Sequence, residues 1–242
     1  MAQIRIGRVK VGEAPKIVVT VTTPHQIPSV VKARTSGADI VELRLDYLAH
    51  LPEERIISIT REASAAAGIP VIATLRAPRE GGARRDGVMS DERRRVALYQ
   101  ALLPHVHAVD IELSCPLVGE VVSNTHKKGK TVIMSYHHFQ STPPLSRLKA
   151  LAHLAKAKGG DIVKIVTTTR TSMEMIRLFT LLDDRPAWPM AAFSTGPHAL
   201  LSRLVSWFCK SSLMYAGLPG KTVPGQPNVE ELKAALKQFG LR

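Results

Sequence analysis

The sequence contains few cysteines, few aromatic residues and no long apolar segment. Its two cysteines, Cys115 and Cys209, have no CxxC or Cys/His neighbours, which argues against a zinc site or a disulfide framework, and we expect reduced, buried thiols. No run reaches the roughly 18 uncharged apolar residues of a membrane span. The first residues, MAQIRIGRVKVG, lack the apolar region of a signal peptide. These absences predict a cytoplasmic protein with no membrane partner.

Acidic residues are scarce relative to basic ones. The chain has 33 Lys and Arg against 20 Asp and Glu, a formal net charge of +13, and a pI of about 10.1. Clustered basic residues are typical of phosphate binding, which raises the possibility of a nucleic-acid partner. The densest basic stretch, residues 76–95, nevertheless includes acids and has no interleaved aromatics. We therefore expect no nucleic-acid partner and interpret the basic surface as suited to a small anionic substrate.

The chain alternates between two kinds of segment. Its 242 residues, 45% hydrophobic and 22% charged, are typical of a globular α/β barrel built as one domain. Segments with helical periodicity, such as 90–103, where Ser90 and Glu92 suit a helix start, separate short runs rich in β-branched residues. The runs are residues 16–23, 39–46, 70–76, 108–113, 130–137, 161–169, 189–194 and 213–218. This order predicts a single (β/α)₈ TIM barrel over residues 1–242, with residues 1–15 forming a short hairpin that closes its bottom.

Polar residues alternate with apolar ones along five of the predicted strands. In residues 39–46, Glu42, Arg44 and Asp46 share one face, because side chains in a strand alternate between faces. In a barrel that face fills the lumen, and active sites lie at the C-terminal ends of the strands. A buried charged layer is costly unless paired. Any one of these residues could be part of an ion pair that merely fills the lumen. Polar inward positions on five strands favour a functional site instead. The other residues with inward parity are Thr74, Arg76, Asp110, Glu112, Thr131, Ser135, His137 and Lys164.

Lys164 and His137 are the candidate reactive residues. Lys164 has no acid nearby in sequence, and parity directs it toward Arg44 and Arg76. A lysine in a desolvated pocket beside other cations loses its proton more readily, and a neutral amine attacks carbonyls. His137 ends the preceding strand with inward parity, whereas His138 points outward, so His137 suits general acid/base catalysis. The pair predicts proton abstraction next to a carbonyl through a Schiff base, unless Lys164 only extends its amine to solvent.

Seven motifs in order give the chain a family resemblance. They are ELRLD (42–46), TLRAPREGG (74–82), VDIEL (109–113), SYHHFQSTP (135–143), DIVKI (161–165), SRL (202–204) and TVPGQ (222–226). Together they resemble type I 3-dehydroquinate dehydratase from about residue 15 to 240. The resemblance implies a (β/α)₈ lyase of the shikimate pathway that converts 3-dehydroquinate to 3-dehydroshikimate. It also implies a homodimer that needs neither a metal nor an organic cofactor.

The resemblance also implies roles for individual residues. Lys164 would form an imine with the C3 carbonyl, His137 would remove a C2 proton and later protonate the departing C1 hydroxyl, and Glu80 would orient His137. The implied substrate-binding residues are Thr20, Glu42, Arg44, Arg76, Arg203, Thr222 and Gln226, with Arg203 at the carboxylate.

The chain departs from the family pattern in three respects. His138 stands where Asp is usual, Thr20 and Thr222 stand where Ser is common, and about two extra residues precede Arg203. The threonines keep the hydroxyl group. The extra residues bear on how Arg203 approaches the substrate carboxylate.

Residues 77–87 and the overall charge leave alternatives open. This segment contains three glycines with Arg84 and Arg85, which predicts either a flexible basic lid over an anionic substrate or an ordinary loop. A class I aldolase-type barrel enzyme would need Lys164 without the other motifs. A nucleic-acid-binding protein would instead use the +13 charge, and its binding would depend steeply on salt.

Overall fold

A computed structural model describes residues 3–83, 86–184, 187–220 and 225–241. A short antiparallel pair, β1 (Arg5–Ile6) and β2 (Val9–Lys10), precedes the main sheet. The strands of that sheet are β3 (Lys16–Val21), β4 (Ile40–Arg44), β5 (Val71–Thr74), β6 (Ala108–Glu112), β7 (Thr131–His138), β8 (Ile162–Thr168), β9 (Met190–Thr195) and β10 (Leu213–Gly217). One α-helix follows each: α1 (Ile27–Thr35), α2 (Glu53–Ala67), α3 (Glu92–Leu102), α4 (Val118–Lys127), α5 (Leu145–Ala157), α6 (Ser172–Asp183), α7 (Ala199–Phe208) and α8 (Val229–Gln238).

The main sheet curls into a nearly closed parallel barrel. Its strand order is β10-β3-β4-β5-β6-β7-β8-β9, with every pair parallel. Where β9 meets β10, the backbone N–H of Ser212 donates to the carbonyl of Met190 at 2.7 Å. The predicted (β/α)₈ architecture is confirmed by these eight parallel strands and the helix that follows each of them. The helices cover the outer face of the sheet, as parallel sheets require.

The lumen is layered along the barrel axis. Its lower layer is apolar and includes Ile40, Ile72, Ile133 and Ile162. The predicted hairpin is confirmed and closes this end, because the fully buried Ile6 of β1 packs into the same layer. Two residues further along each of these four strands, the inward positions are polar. The charged residues predicted to face inward therefore lie above an apolar floor.

Local chemistry explains the element boundaries. The strand predicted over residues 39–46 is β4, which ends at Arg44. Asp46 belongs instead to the short 3₁₀ helix Leu45–Leu48. The predicted start of α3 at Ser90 is wrong by one residue. Asp91 is the N-cap, and its carboxylate accepts the backbone N–H of Arg93 at 2.8 Å. Both are strong capping residue types, and only the backbone geometry distinguishes them.

Two further features concern the cysteines and the helices. Cys115 and Cys209 are both free; Cys115 is buried as predicted, whereas Cys209 is only half-buried. Across the described ranges, no helix is both long enough and apolar enough to cross a membrane.

Candidate active site

A cleft opens at the C-terminal ends of the barrel strands, where active sites of this architecture lie. Nine residues predicted for the site line this cleft: Thr20, Glu42, Arg44, Arg76, Glu80, His137, Lys164, Arg203 and Gln226. Thr222, the tenth, lies outside the described residues. Residues far apart in sequence are therefore brought together, some of them predicted from inward parity and the others from the family resemblance. The cleft also contains Gly81, Phe139, Val166, Phe193, Thr195 and Tyr215, which the sequence analysis did not select.

Lys164 lies on β8 and is almost fully buried. Its Nζ donates a hydrogen bond to Oδ2 of Asp110 at 2.9 Å and lies 3.7 Å from Oε1 of Glu42. Arg76, one of the two arginines expected beside this amine, is close as well, because it donates to the other oxygen of Asp110. The carboxylates come from β6 and β4, so local sequence could not reveal them.

Asp110 is the centre of a buried ion-pair network. It accepts hydrogen bonds from Arg76 Nη2 at 2.7 Å and Ser135 Oγ at 2.6 Å, in addition to the one from Lys164. Burial alone would raise the pKa of its carboxyl, but the charges of Arg76 and Lys164 outweigh that effect and hold the pKa far below its usual range. Asp110 is therefore an ionised counter-charge at neutral pH.

The network continues outward through Glu112 to α3. Glu112 accepts from Arg76 Nη1 at 3.1 Å and from Arg95 Nη1 at 2.8 Å. Arg95 also donates to the carbonyl of Leu75 at 2.6 Å, because it lies on the buried side of α3. Sequence reasoning missed Arg95, because a basic residue on an amphipathic helix is usually exposed.

His137 is held by Glu80. Oε2 of Glu80 lies 3.0 Å from both the backbone N and the ring Nδ1 of His137, and its other oxygen accepts the hydroxyl of Ser114. Two N–H and O–H donors already converge on this carboxylate, and a carboxylate only accepts hydrogen bonds, so the contact with Nδ1 assigns the hydrogen to Nδ1 and leaves a lone pair on Nε2. Burial, reinforced by the charges of Arg76 and Lys164, lowers the pKa of His137 well below its usual value.

The neighbouring histidine does not share this environment. Nδ1 of His138 lies 2.9 Å from the carbonyl oxygen of Ser141, and its ring stacks with Tyr136. His138 is absent from the cleft lining, which confirms the inward parity of His137 and the outward parity of His138.

Glu42 anchors a polar wall beside Lys164. Its two oxygens accept the hydroxyls of Thr20 and Thr74, each at 2.9 Å. Gln226 joins this wall because its Nε2 donates to Oγ1 of Thr20 at 3.3 Å. The wall offers amide, hydroxyl and carboxylate groups, which are suitable partners for the hydroxyls of a polyol.

Arg44 contacts the loop that carries Glu80. It forms a two-pronged ion pair with Asp46, with both distances 2.8 Å, and donates to the carbonyl of Gly81 at 3.2 Å. The loop approaches so closely that a Cβ on Gly82 would lie 2.0 Å from the carbonyl oxygen of Arg76. Residues 77–83 are thus attached to the barrel, whereas Arg84 and Arg85 lie outside the described residues and the lid stays a prediction.

Arg203 provides a buried positive charge at the cleft. Its Nε donates to the carbonyl of Tyr215 at 2.7 Å, and Nη1 donates to the carbonyls of Ser194 and Ala199 at 2.7 and 2.9 Å. Within the part of the chain that the structure describes, no carboxylate pairs with it, and burial lowers its pKa to about 9. A buried guanidinium without an anionic partner is a strong binding group for a carboxylate.

The described ranges show no group of three or more His, Cys, Asp or Glu side chains arranged to hold a metal ion. The groups that converge on the cleft are an amine, an imidazole, two carboxylates and guanidinium cations. This set suits the attack of an amine on a carbonyl, proton transfer next to it, and recognition of an anion.

Comparisons with known proteins agree with this chemistry. A model of the type I 3-dehydroquinase family matches residues 17–242. The 3-dehydroquinate dehydratase of Pyrobaculum aerophilum is 37% identical over 227 residues, covering 93% of this chain and 70% of the relative. The crystal structure of the Aquifex aeolicus 3-dehydroquinate dehydratase is 29% identical, has a TM-score of 0.79, and covers 93% of this chain and 98% of that one.

A more distant structure supports the fold alone. The type I 3-dehydroquinate dehydratase of Clostridium difficile, solved with covalently modified comenic acid, has a TM-score of 0.89 at 22% identity and covers 98% of both chains. The match of the family model over nearly the whole barrel is the decisive finding. The chain therefore belongs to the type I 3-dehydroquinase family.

Proposed function

We propose that this protein dehydrates 3-dehydroquinate to 3-dehydroshikimate through a Schiff base on Lys164, as a lyase of the shikimate pathway. The observation that carries the proposal is the convergence of Lys164, the Glu80-supported His137 and the buried cation of Arg203 on one cleft. Family membership supplies the substrate, since relatives of this chain are 3-dehydroquinate dehydratases.

The first chemical step is imine formation. The Lys164 amine adds to the C3 carbonyl of the substrate, and the carbinolamine takes up a proton and loses water to leave a protonated C=N bond. The resulting iminium draws electrons from C2, which makes the C2 proton removable. The nearby carboxylate of Asp110, 2.9 Å from Nζ, stabilises positive charge on this nitrogen.

His137 then transfers a proton from C2 to the leaving hydroxyl. Its lowered pKa keeps the imidazole neutral at pH 7, so Nε2 can accept the C2 proton. Glu80 holds Nδ1 and stabilises the imidazolium that forms. The imidazolium gives this proton to the C1 hydroxyl, which departs as water, and hydrolysis of the imine releases the product.

Substrate recognition is assigned to the remaining groups of the cleft. Arg203 binds the carboxylate, and the Thr20, Glu42 and Gln226 wall binds hydroxyls. Arg44 and Arg76 hold the site indirectly, because their guanidinium groups already contact Asp46 and Asp110, and they supply positive potential to the anionic substrate. For Thr222, the family resemblance supports a place among the substrate-binding residues, in the segment that closes over the ligand. No metal or organic cofactor has a part in these steps.

We also propose that the enzyme is a cytoplasmic homodimer. Support for an interface comes from exposed apolar residues on the neighbouring helices α6 and α7, namely Met173, Ile176 and Leu201, each more than half exposed. Sedimentation of the intact protein tests the dimer, and cell fractionation tests the location.

Peptide mass mapping after borohydride reduction in the presence of 3-dehydroquinate tests the mechanism directly. We expect a reduced adduct on Lys164, none without substrate, and none in Lys164→Ala. An adduct in the wild type, together with the loss of both the adduct and the dehydratase activity in Lys164→Ala, would support the proposal. Folded wild-type protein that dehydrates the substrate without any trappable adduct would refute it.

A further inference from the structure

Two aromatic rings lie between Lys164 and Arg203, two of the cations that line the cleft. Nζ of Lys164 lies 3.8 Å from the centroid of the Tyr215 ring, on its face. The Tyr215 and Phe193 rings are tilted neighbours with centroids 5.5 Å apart, and the Arg203 guanidinium carbon lies 4.6 Å from the Phe193 centroid. Lys164 and Arg203 therefore each contact a different ring.

The Tyr215 ring, and not its hydroxyl, makes the contact with Lys164. Tyr215 is 2% exposed, and its buried Oη has no hydrogen-bond partner among the residues that the structure describes. Burial, with the nearby carboxylates of Glu42 and Asp110, raises the pKa of Tyr215 well above its usual value, so the phenol stays protonated and is not a base. An unpaired buried hydroxyl is unfavourable, whereas a ring face attracts a cation.

We propose that the face of Tyr215 stabilises the cationic nitrogen of Lys164 during catalysis, above all the iminium. This inference rests on the Schiff-base chemistry proposed above and assigns to it a residue that touches the reacting nitrogen. The contact is in a desolvated site, where an attraction between a cation and a ring is strongest.

The change in hydrogen bonding during the reaction explains why a ring is useful here. An ammonium group has three N–H donors, which serve Asp110 at 2.9 Å and reach toward Glu42 at 3.7 Å. When the amine condenses with the carbonyl and water leaves, the protonated C=N bond retains a single N–H. That donor can satisfy only one carboxylate. The ring attracts the charge itself and needs no N–H, so its contribution persists in the iminium.

A series of isosteric ring substitutions at position 215 tests this inference. Tyr215→Phe keeps the ring face, and phenylalanines with one, two and three ring fluorines weaken its negative potential stepwise at nearly constant shape. Tyr215→Phe is the reference of the series, and we expect kcat to fall with each fluorine to a total of about tenfold below that reference. The fraction of enzyme trapped by borohydride on Lys164 should fall in parallel, with KM nearly constant.

The same series at Phe193 is the matched control. Phe193 contacts Arg203 instead of Lys164, so fluorination there should raise KM and leave the trapped fraction unchanged. Equal kcat and equal trapping across the series at position 215, in folded proteins, would overturn the inference while leaving the Schiff base intact. Absence of any adduct in the wild type would instead overturn the proposed function.

Discussion

Replacing Asp110 by asparagine removes one negative charge from the centre of the buried network while preserving shape. Asp110 contacts Lys164 at 2.9 Å and Arg76 at 2.7 Å, and its side chain is fully buried. At an effective dielectric constant of about 20, each such pair attracts by about 6 kcal/mol before desolvation is subtracted. Breaking a buried pair by removing one partner costs about 3–5 kcal/mol in practice, because the remaining charges lose their compensation. We therefore expect Asp110→Asn to lower the free energy of unfolding by about 3–5 kcal/mol.

Urea unfolding at pH 7 measures this difference from the midpoint and slope. The matched control is Glu53→Gln, because Glu53 pairs with Arg94 at a similar 2.8 Å but both side chains are partly exposed. We expect that control to cost less than about 1 kcal/mol. A loss for Asp110→Asn as small as the control's would refute the view that this network holds the barrel and the Lys164 amine in place.

The pH dependence of the same comparison provides a second check. The pKa of Asp110 is lowered in the folded protein relative to its ordinary 3.8, so its charge contributes fully above about pH 4. That contribution is lost as the pH falls toward the folded-state pKa. The difference in free energy of unfolding between wild type and Asp110→Asn should therefore be constant between about pH 5 and pH 7, which is roughly one unit or more above 3.8. It should shrink in stronger acid.

Three further predictions concern the cleft. Glu80→Gln should lower kcat by roughly 100-fold or more with little change in KM, because an amide no longer fixes the His137 tautomer; steady-state kinetics measures this, and an equal rise in KM would contradict it. Arg203→Met should raise KM by about 100-fold, and Arg203→Lys should restore part of the binding, whereas an unchanged KM would remove Arg203 from carboxylate recognition. Since the pKa of His137 is lowered from 6.5, kcat/KM should decline only below that pH, and the free energy of unfolding should also fall there because the unfolded chain binds the proton first. An acid limb centred above 6.5, or the same pH-dependent loss of stability in His137→Asn, would contradict this assignment.

Strand periodicity carried most of what could be predicted. Alternation with period two identified the inward residues of five strands, and it distinguished His137 from His138 without any structure. The alternation of strands and helices predicted the barrel, because parallel strands need covered faces and crossover helices. Both patterns involve residues that are close in sequence, so they can be recognised from short segments of the chain.

Partners across the barrel could not be read locally. Lys164 and Asp110 are 54 residues apart, and His137 and Glu80 are 57 apart. Parity directed Lys164 inward, but the strand register decided that it contacts Asp110, which it shares with Arg76, and the Tyr215 ring. Arg95 was missed for the same reason, since its helix could be oriented only once it packed behind β5 and β6.

The sequence by itself thus determined the alternation of elements, the inward face of each strand and, through its motifs, the family. Only the tertiary structure decided which charges neutralise one another, which ring lies beneath the Lys164 amine, and that Arg203 keeps a buried charge without a carboxylate partner in the described part of the chain. The physical reason is that hydrophobic periodicity is set by neighbours in sequence. Electrostatic pairing depends instead on distances across the lumen, which barrel closure and strand register set.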